Sequence, residues 1–268
     1  MGKVEDLAKA IRRNVLDMAL ASGVNGGHIG GAFSCADILA LLYGEVMNVF
    51  PDNPQSPTRD RFLLSKGHVA LAHYAVLAEC GFISREEMMT FQTSGSDFPT
   101  HEVLNLEKGV EISSGSLGYG LSIGVGCALA AKRKEEKHRV YVLMGDGECN
   151  EGSVWEAAMS AAKYKLDNLT AIVDVNDQQL DGYSKDVMPI HNIADVFRGF
   201  GFHVEEVDGN DIEQLRKAFN SSVQAKPTAI IAHTVKGKGV KAIEGKLGWH
   251  HASLSQEQYD AFICGLEE

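Results

Sequence analysis

Short apolar runs separated by helical patterns dominate the second half of the chain. Two of these runs, residues 140–144 (VYVLM) and 169–175 (LTAIVDV), end directly at polar residues. Alternating strands and helices predict a mostly parallel sheet with right-handed crossover connections. The predicted strands are 61–64, 140–144, 169–175, 202–207 and 228–233.

Helical periodicity accounts for most of the remaining chain. Apolar residues at helical spacing predict a helix at 4–21. Ser34 is interpreted as the N-cap of a second helix that runs to about residue 46, and the small residues of 119–134 predict a closely packed, buried helix. The other predicted helices are an apolar one ending at Cys80 and the segments 84–91, 153–165, 192–199, 211–224 and 253–266. We therefore predict an α/β protein, a doubly wound, mostly parallel sheet with helices on both faces, forming a single domain over residues 1–268.

Two polar residues stand where predicted strands end. Asp146 lies between two glycines after 140–144, and Asn176 follows 169–175. Their spacing suits one strand, a crossover helix and a second parallel strand, so both would lie at the carboxyl edge, where doubly wound sheets bind ligands. Carboxylate and amide oxygens suit Mg²⁺ or Ca²⁺, and glycines allow the backbone to approach a phosphate. Asp146 alone would be ordinary turn chemistry, but together the two residues favour a metal–diphosphate site.

Composition narrows the classes of partner. The chain has 268 residues, is 44% hydrophobic and carries a formal net charge of −11, which disfavours nucleic acid or an anionic membrane as a general partner. No apolar stretch approaches the roughly 20 residues that span a bilayer. Scattered cysteines without a CxxC motif indicate reduced thiols, so we expect a cytoplasmic protein. The cysteines are Cys35, Cys80, Cys127, Cys149 and Cys264.

Seven short motifs follow one another along nearly the whole chain. They are Gly27-His28, Ser65-Lys66-Gly67-His68, Thr100-His101-Glu102, Gly115-Ser116-Leu117-Gly118, Gly145-Asp146-Gly147 with Asn176, Leu180-Asp181-Gly182, and Trp249-His250. No single motif is decisive, but the ordered set resembles the diphosphate-binding half of transketolase. The resemblance implies the thiamin diphosphate-binding fold of the type called the PP domain.

The same resemblance implies a cofactor and a metal ion. Thiamin diphosphate would be bound through Mg²⁺, with Ca²⁺ or Mn²⁺ as substitutes. Asp146 and Asn176 would bind the ion through side-chain oxygens, and Gln178 would bind it through its main-chain carbonyl. The residues implied to bind the cofactor are His68, Gly115, Leu117, Gly147, Asn176 and Leu180.

The resemblance also implies catalytic residues. The implied set around the ketose is His28, His68, His101 and His250. Histidine suits proton movements on sugar oxygens because its ordinary pKa lies near neutrality. Of the adjacent His250 and His251, we expect only His250 to face the site. Glu151 matches an acidic residue at the dimer contact, although it would serve equally well as a charge at a helix N-terminus.

Full transketolases are more than twice this length. The missing half carries the glutamate that activates the cofactor's aminopyrimidine and most basic residues that bind the sugar phosphate. The resemblance therefore implies the N-terminal subunit of a split transketolase, inactive alone. A C-terminal subunit with the pyrimidine-binding domain would complete it, in a heterotetramer of two copies of each.

Two alternatives stay open at this point. The α subunit of a thiamin diphosphate-dependent 2-oxo acid dehydrogenase shares the motif from Asp146 to Asn176, although the early His28 and His68 favour sugars. A non-catalytic cofactor-binding subunit could also have kept the fold. The lysines of the loop after the last strand are interpreted as solvated and mobile, namely Lys236, Lys238 and Lys241.

Overall fold

Within residues 2–267, which the computed structural model describes, five parallel strands form one sheet. The order across the sheet is β1-β2-β3-β5-β4. The strands are β1 (Arg61–Leu64), β2 (Val140–Gly145), β3 (Leu169–Val175), β4 (His203–Asp208) and β5 (Thr228–His233). The predicted strands are therefore confirmed, three of them with the same bounds.

Helices occupy both faces of this sheet. They are α1 (Lys3–Ala21), α2 (Ile29–Ser34), α3 (Ala36–Leu41), α4 (Ala70–Glu79), α5 (Arg85–Met88), α6 (Gly120–Arg133), α7 (Gly152–Lys163), α8 (Ser184–Val187), α9 (Ile193–Gly199), α10 (Ile212–Asn220) and α11 (Gln256–Glu267). None of the helices within residues 2–267 combines the length and apolar character needed to cross a bilayer.

Alternate residues of each strand face two separate apolar cores. In β2, Tyr141 and Leu143 belong to one core, and Val140 and Val142 belong to the other. The first core is closed by α1–α4, α10 and α11, and the second by α6, α7 and α9. Because a strand projects successive side chains to opposite faces, a run of consecutive apolar residues fits a sheet covered on both sides. The predicted doubly wound α/β architecture is confirmed.

The region around Ser34 differs from the prediction. Ser34 is the last residue of α2 rather than the N-cap of a longer helix, and α3 begins only at Ala36. The Ser34 hydroxyl donates to the carboxylate of Asp174, at 2.6 Å, and also contacts the Gly31 carbonyl, at 2.9 Å. A buried acceptor on β3 therefore takes the hydroxyl that local preference assigns to a helix cap.

Helix α6 is buried on one face only. Gly120, Gly124 and Ala128 face the sheet, whereas Ile123 and Gly126 are exposed or half-buried on the other side. The prediction of an all-round buried helix was wrong because small residues occur on both faces of it. Only the glycines next to the sheet are required there by close approach.

Two glycines of α6 give opposite predictions for stability. A methyl group at Gly124 would lie 2.5 Å from Val142 Cγ2, while one at Gly126 would meet nothing within 4 Å. Gly124→Ala should lower the free energy of unfolding by about 1–3 kcal/mol through overpacking. Gly126→Ala should raise it by about 0.5–1 kcal/mol because alanine loses less backbone freedom in a helix. Thermal unfolding of both variants checks the signs, and an equal effect of the two would contradict the packing of α6.

Candidate active site

Asp146 and Asn176 lie beside one another at the carboxyl edge of the sheet. Strands β2 and β3 are hydrogen-bonded neighbours, with Gly145 paired to Asp174. Each of the two residues directly follows its strand, and they are 7% and 9% exposed. The two strand ends therefore place a carboxylate and an amide on the same edge, as the spacing predicted.

The oxygen atoms at this edge are held by short contacts. Asp146 Oδ2 accepts a hydrogen bond from Ser184 Oγ at 2.7 Å, and Asn176 Oδ1 accepts one from the Gln178 main-chain nitrogen at 3.3 Å. The Gln178 side chain donates to the Gly245 carbonyl at 2.8 Å, which fixes the direction of this residue beside the cavity. Burial raises the pKa of Asp146, as does the nearby Asp174, against the hydrogen bond from Ser184.

Such a set suits a hard divalent cation. A carboxylate, an amide oxygen and a carbonyl are the ligand types that Mg²⁺ and Ca²⁺ prefer. Among residues 2–267, no three His, Cys, Asp or Glu side chains form a cluster that could hold a metal ion. The donors present therefore fit magnesium better than zinc, which takes nitrogen and sulfur ligands.

A cavity of about 500 Å³ opens beside these strand ends. The predicted site residues among its lining are His28, His68, His101, His250, Gly115, Leu117, Gly147, Leu180, Asp146, Asn176, Gln178 and Glu151. The structure thus brings every predicted site residue to one space. Leu180 is 71% exposed, and Glu151 is an exposed N-cap residue of α7 at the same cavity.

Histidine rings cluster around His28, the N-cap residue of α2. The ring centroids of His68, His101 and His250 lie 5.4, 5.7 and 5.3 Å from that of His28. Residues from four separated parts of the sequence therefore meet in one group. Backbone hydrogen bonds hold this arrangement, because Gly27 pairs with Ala252 as an isolated antiparallel bridge.

His251 differs from its prediction. Its ring centroid lies 4.7 Å from that of His28, so both members of the His250–His251 pair contact the cluster. His250 lines the cavity, and His251 is exposed beside it. The expectation that only one of them is directed at the site was wrong, because the bridge at Ala252 holds this whole segment against the turn that carries His28.

Two buried polar atoms in this region have no hydrogen-bond partner within the described residues. They are His28 Nδ1 and Ser114 Oγ. Buried polar atoms are nearly always satisfied, so unpartnered ones beside a cavity indicate a polar ligand. Ser114 precedes Gly115 in the loop that lines this cavity.

The histidines of the cluster are neutral at pH 7. Burial lowers the pKa of His28 to about 3, and the neighbouring His250 and His251 act in the same direction. Burial and the charge of Lys236 lower the pKa of His250 to about 4, and burial holds the pKa of His68 well below 6.5. Neutral rings offer one hydrogen-bond donor and one acceptor each, which suits hydroxyl-bearing ligands.

These shifts predict an acid-sensitive fold. An unfolded histidine has a pKa near 6.5, whereas His28 and His250 bind protons in the folded chain only at about 3 and about 4. The unfolded chain therefore takes up more protons below pH 6.5, and the free energy of unfolding should fall as the pH drops toward 4. Melting temperatures measured over this range should fall less steeply for His28→Gln than for the exposed control His191→Gln. Equal slopes would contradict this.

Lys236 lies inside the site, contrary to the prediction of a solvated loop. It is 3% exposed, and its Nζ lies 3.4 Å from the Gln178 carbonyl and 3.1 Å from His250 Nδ1. Burial lowers the pKa of this ammonium to about 8, and the charge of Lys66 acts in the same direction. The segment 245–250 closes over the lysine, which no local pattern in the sequence indicates.

Three further buried charges at the site were not predicted as functional. The Lys66 ammonium pairs with the Asp174 carboxylate, and the Glu148 carboxylate accepts hydrogen bonds from Ser65 Oγ and from the backbone of Gly118. A signal was available for Asp174, because a charged residue within a wholly buried strand requires a partner. Glu148 directly follows Gly147, and it ties the Gly118 loop to the end of β2.

A family of known proteins shares the sequence that builds this site. The family model of transketolase, thiamine diphosphate binding domain, matches residues 4–263. The chain belongs to this transketolase family. This match, with those described next, favours the transketolase interpretation over the α subunit of a 2-oxo acid dehydrogenase.

Relatives of similar length are named as subunits. One of them, named as a subunit of apulose-4-phosphate transketolase, comes from Phocaeicola vulgatus and is 44% identical over 90% of this transketolase-family chain and 86% of its own. The 6-deoxy-6-sulfo-D-fructose transketolase subunit SqwG of Clostridium sp. is 39% identical over 97% of the chain and 95% of its own. The human transketolase is 39% identical over 97% of the chain but only 41% of its own length.

Solved transketolases have the same fold. The chain superimposes on the transketolase from Leishmania mexicana with a TM-score of 0.92 at 29% identity, covering 100% of this chain and 42% of that one. The transketolase from Campylobacter jejuni gives a TM-score of 0.92 at 31% identity, over 100% and 43% of the two chains. The chain thus spans about two-fifths of these transketolases.

Proposed function

We propose that this chain is the N-terminal, cofactor-binding subunit of a two-subunit transketolase that moves a two-carbon ketol unit from a ketose to an aldose. One observation carries the proposal: neutral histidines from four parts of the sequence surround His28 in the cavity that contains Asp146 and Asn176. A metal–diphosphate site needs no histidine cluster, whereas a polyhydroxylated substrate does need many small donors and acceptors.

In the proposed metal site, Asp146 and Asn176 provide side-chain oxygens and Gln178 provides its carbonyl. Diphosphate oxygens and water would complete the roughly octahedral shell of Mg²⁺. When bound, thiamin diphosphate supplies the electron sink that stabilises a two-carbon carbanion equivalent. The protein's part is to place that group and to control water and protons around it.

The remaining cofactor contacts come from the loops at the carboxyl edge. His68, Gly115 and Leu117 line the cavity, and Gly147 presents backbone nitrogen at the start of a helical turn, where phosphate binding is favoured. The exposed apolar side chain of Leu180 is available to pack on the thiazolium ring. Lys236 adds a buried positive charge toward the diphosphate, although it was not foreseen from the sequence.

The histidines act on the sugar. His28, His68, His101 and His250 would hold the hydroxyl and carbonyl oxygens of the ketose close to the reacting carbon. Because their pKa values are lowered, the rings accept a hydroxyl proton transiently and return it without staying charged. His28 Nδ1, which has no protein partner among the described residues, is placed to bond a substrate oxygen.

A second subunit completes the proposed enzyme. The chain spans about two-fifths of a full transketolase, and its relatives of similar length are named as subunits. We therefore propose a C-terminal partner with the pyrimidine-binding domain, and Glu151 as an acid at the contact between subunits. The assembly is proposed as a cytoplasmic heterotetramer of two copies of each chain, in which this chain forms one domain over residues 1–268.

The relatives support a substrate class. Those at 44% and 39% identity are named for apulose-4-phosphate and 6-deoxy-6-sulfo-D-fructose. We propose a ketose with a terminal anionic group, bound mostly by the partner subunit, since this chain contributes mainly neutral rings to the cavity.

Reconstitution tests the proposed function. The full chain, its partner subunit, thiamin diphosphate and Mg²⁺ should together transfer glycolaldehyde from a ketose phosphate or sulfonate to an aldose, whereas either chain alone should not. Pyruvate serves as the control donor. Transfer from pyruvate but from no ketose would overturn the assignment. Absence of cofactor affinity in an intact complex would contradict the proposed metal–diphosphate site as well.

A further inference from the structure

Asp174 is a fully buried carboxylate directly behind the proposed metal site. It belongs to β3 and is 0% exposed. Its oxygens accept hydrogen bonds from four side chains that come from α2, from the loops after β1 and β5, and from the end of β3. These donors are Ser34 Oγ, Lys66 Nζ, Thr234 Oγ1 and Asn176 Nδ2. A buried carboxylate with this many donors is a fixed acceptor.

The contact with Asn176 determines which way that amide faces. Asn176 Nδ2 lies 3.3 Å from Asp174 Oδ2. An ionised carboxylate only accepts hydrogen bonds, so the amide nitrogen must face Asp174 and the amide oxygen must face away. The oxygen accepts from the Gln178 nitrogen at 3.3 Å and keeps a lone pair for another ligand.

Lys66 neutralises Asp174 from the opposite side of β2. Both partners of this ion pair are buried, and the Asp174 charge raises the pKa of Lys66 although burial opposes it. Lys66 follows β1 and Asp174 lies on β3, so the pair passes the end of β2, where Asp146 is located. The two carboxylates at the edge therefore share one buried counter-ion.

We propose that Asp174 is a positioning residue that fixes the oxygen of Asn176 toward the metal ion. Asp174 lies behind Asn176 rather than in the cavity, and Lys66 serves as its counter-ion. This inference rests on the proposed function, because it concerns a ligand of the metal site proposed there. Partners behind a metal ligand commonly set its orientation, and changing them typically weakens metal binding about 10- to 100-fold.

Two double variants isolate the acceptor from the charge. Lys66→Met with Asp174→Leu removes the ion pair and the acceptor, whereas Lys66→Met with Asp174→Asn removes the charges but keeps an oxygen for Asn176 Nδ2. Both replace a buried ion pair by neutral groups of similar volume, which folded proteins generally tolerate. Asp174→Leu alone is avoided because it would leave the Lys66 charge buried and unpaired.

The measurement is the dissociation constant for Mg²⁺ at fixed thiamin diphosphate, by calorimetry on the full chain assembled with its partner subunit. We expect the variant with leucine to bind Mg²⁺ about 10- to 100-fold more weakly than the variant with asparagine. Melting temperatures of the metal-free proteins should be similar for the two. Equal Mg²⁺ affinities of the two variants would overturn the proposal.

Asn176→Ala separates this inference from the proposed function. If it leaves Mg²⁺ binding unchanged, Asn176 is not a ligand and the proposed metal site itself is wrong. If it weakens binding while the two double variants bind equally, the metal site stands and only the role of Asp174 is refuted.

Discussion

Alanine in place of Asp146 is expected to abolish the metal-dependent binding of thiamin diphosphate. Asp146 is the only proposed ligand that carries a negative charge, and it is 7% exposed at the end of β2. Asn176 and the Gln178 carbonyl alone provide two neutral oxygens, too few to take a divalent cation from water. The loss should exceed the about 100-fold caused by changes behind the ligands.

Calorimetric titration of the assembled complex with thiamin diphosphate, with and without Mg²⁺, measures this effect. Asp186→Ala is a suitable control, since it removes the same charge from an exposed position in α8, close to Ser184, which contacts Asp146. The control should bind the cofactor as the unaltered chain does. If Asp146→Ala retains Mg²⁺-dependent binding, the metal does not occupy the ends of β2 and β3.

The strands could be predicted from the sequence because their apolar character is continuous. Residues 61–64, 169–175 and 228–233 form strands with the predicted bounds. The sheet is covered by helices on both faces, so few polar positions interrupt these runs and polar residues mark their ends. The positions of Asp146 and Asn176 follow directly from this, which is why the centre of the candidate site could also be found.

Helix ends were less predictable where a tertiary contact decides them. The predicted helix 211–224 ends at Asn220, and Ala225 has a positive φ of 61° in the turn before β5. Near the site, Ser34 binds the carboxylate of Asp174 instead of capping a helix. Local patterns specify which segments are helical, but contacts between distant segments determine where these helices stop.

The same reason explains the charges that were overlooked. Lys236 stands close to Lys238 in a glycine-rich loop, and its composition alone indicates solvent. The structure buries Lys236 against Gln178 and His250, which belong to other loops of the chain. Such burial depends on the three-dimensional packing of loops, for which the sequence has no periodic signal.

His28→Ala is expected to reduce ketol transfer about 10²- to 10⁴-fold in kcat/KM, the range typical of lost general acid–base catalysis. His28 is the centre of the histidine cluster, and its buried Nδ1 has no partner among the described residues. The rings around it belong to the other histidines and not to the proposed metal ligands, so binding of thiamin diphosphate should change little. A sugar-binding role therefore predicts a loss of transfer without a loss of cofactor.

Steady-state kinetics of the reconstituted complex, together with calorimetry of cofactor binding, distinguish this from a general disturbance. His203→Ala is the control, because His203 begins β4, at the amino end of an outer strand, and bonds Ser221 Oγ at 2.7 Å. It should keep both transfer and cofactor binding. His28→Asn should recover part of the transfer, since an amide can still donate to a sugar oxygen. If His28→Ala lowered cofactor affinity as much as transfer, the ring would belong to the cofactor site, and the sugar would have to be held by the other histidines of the cavity.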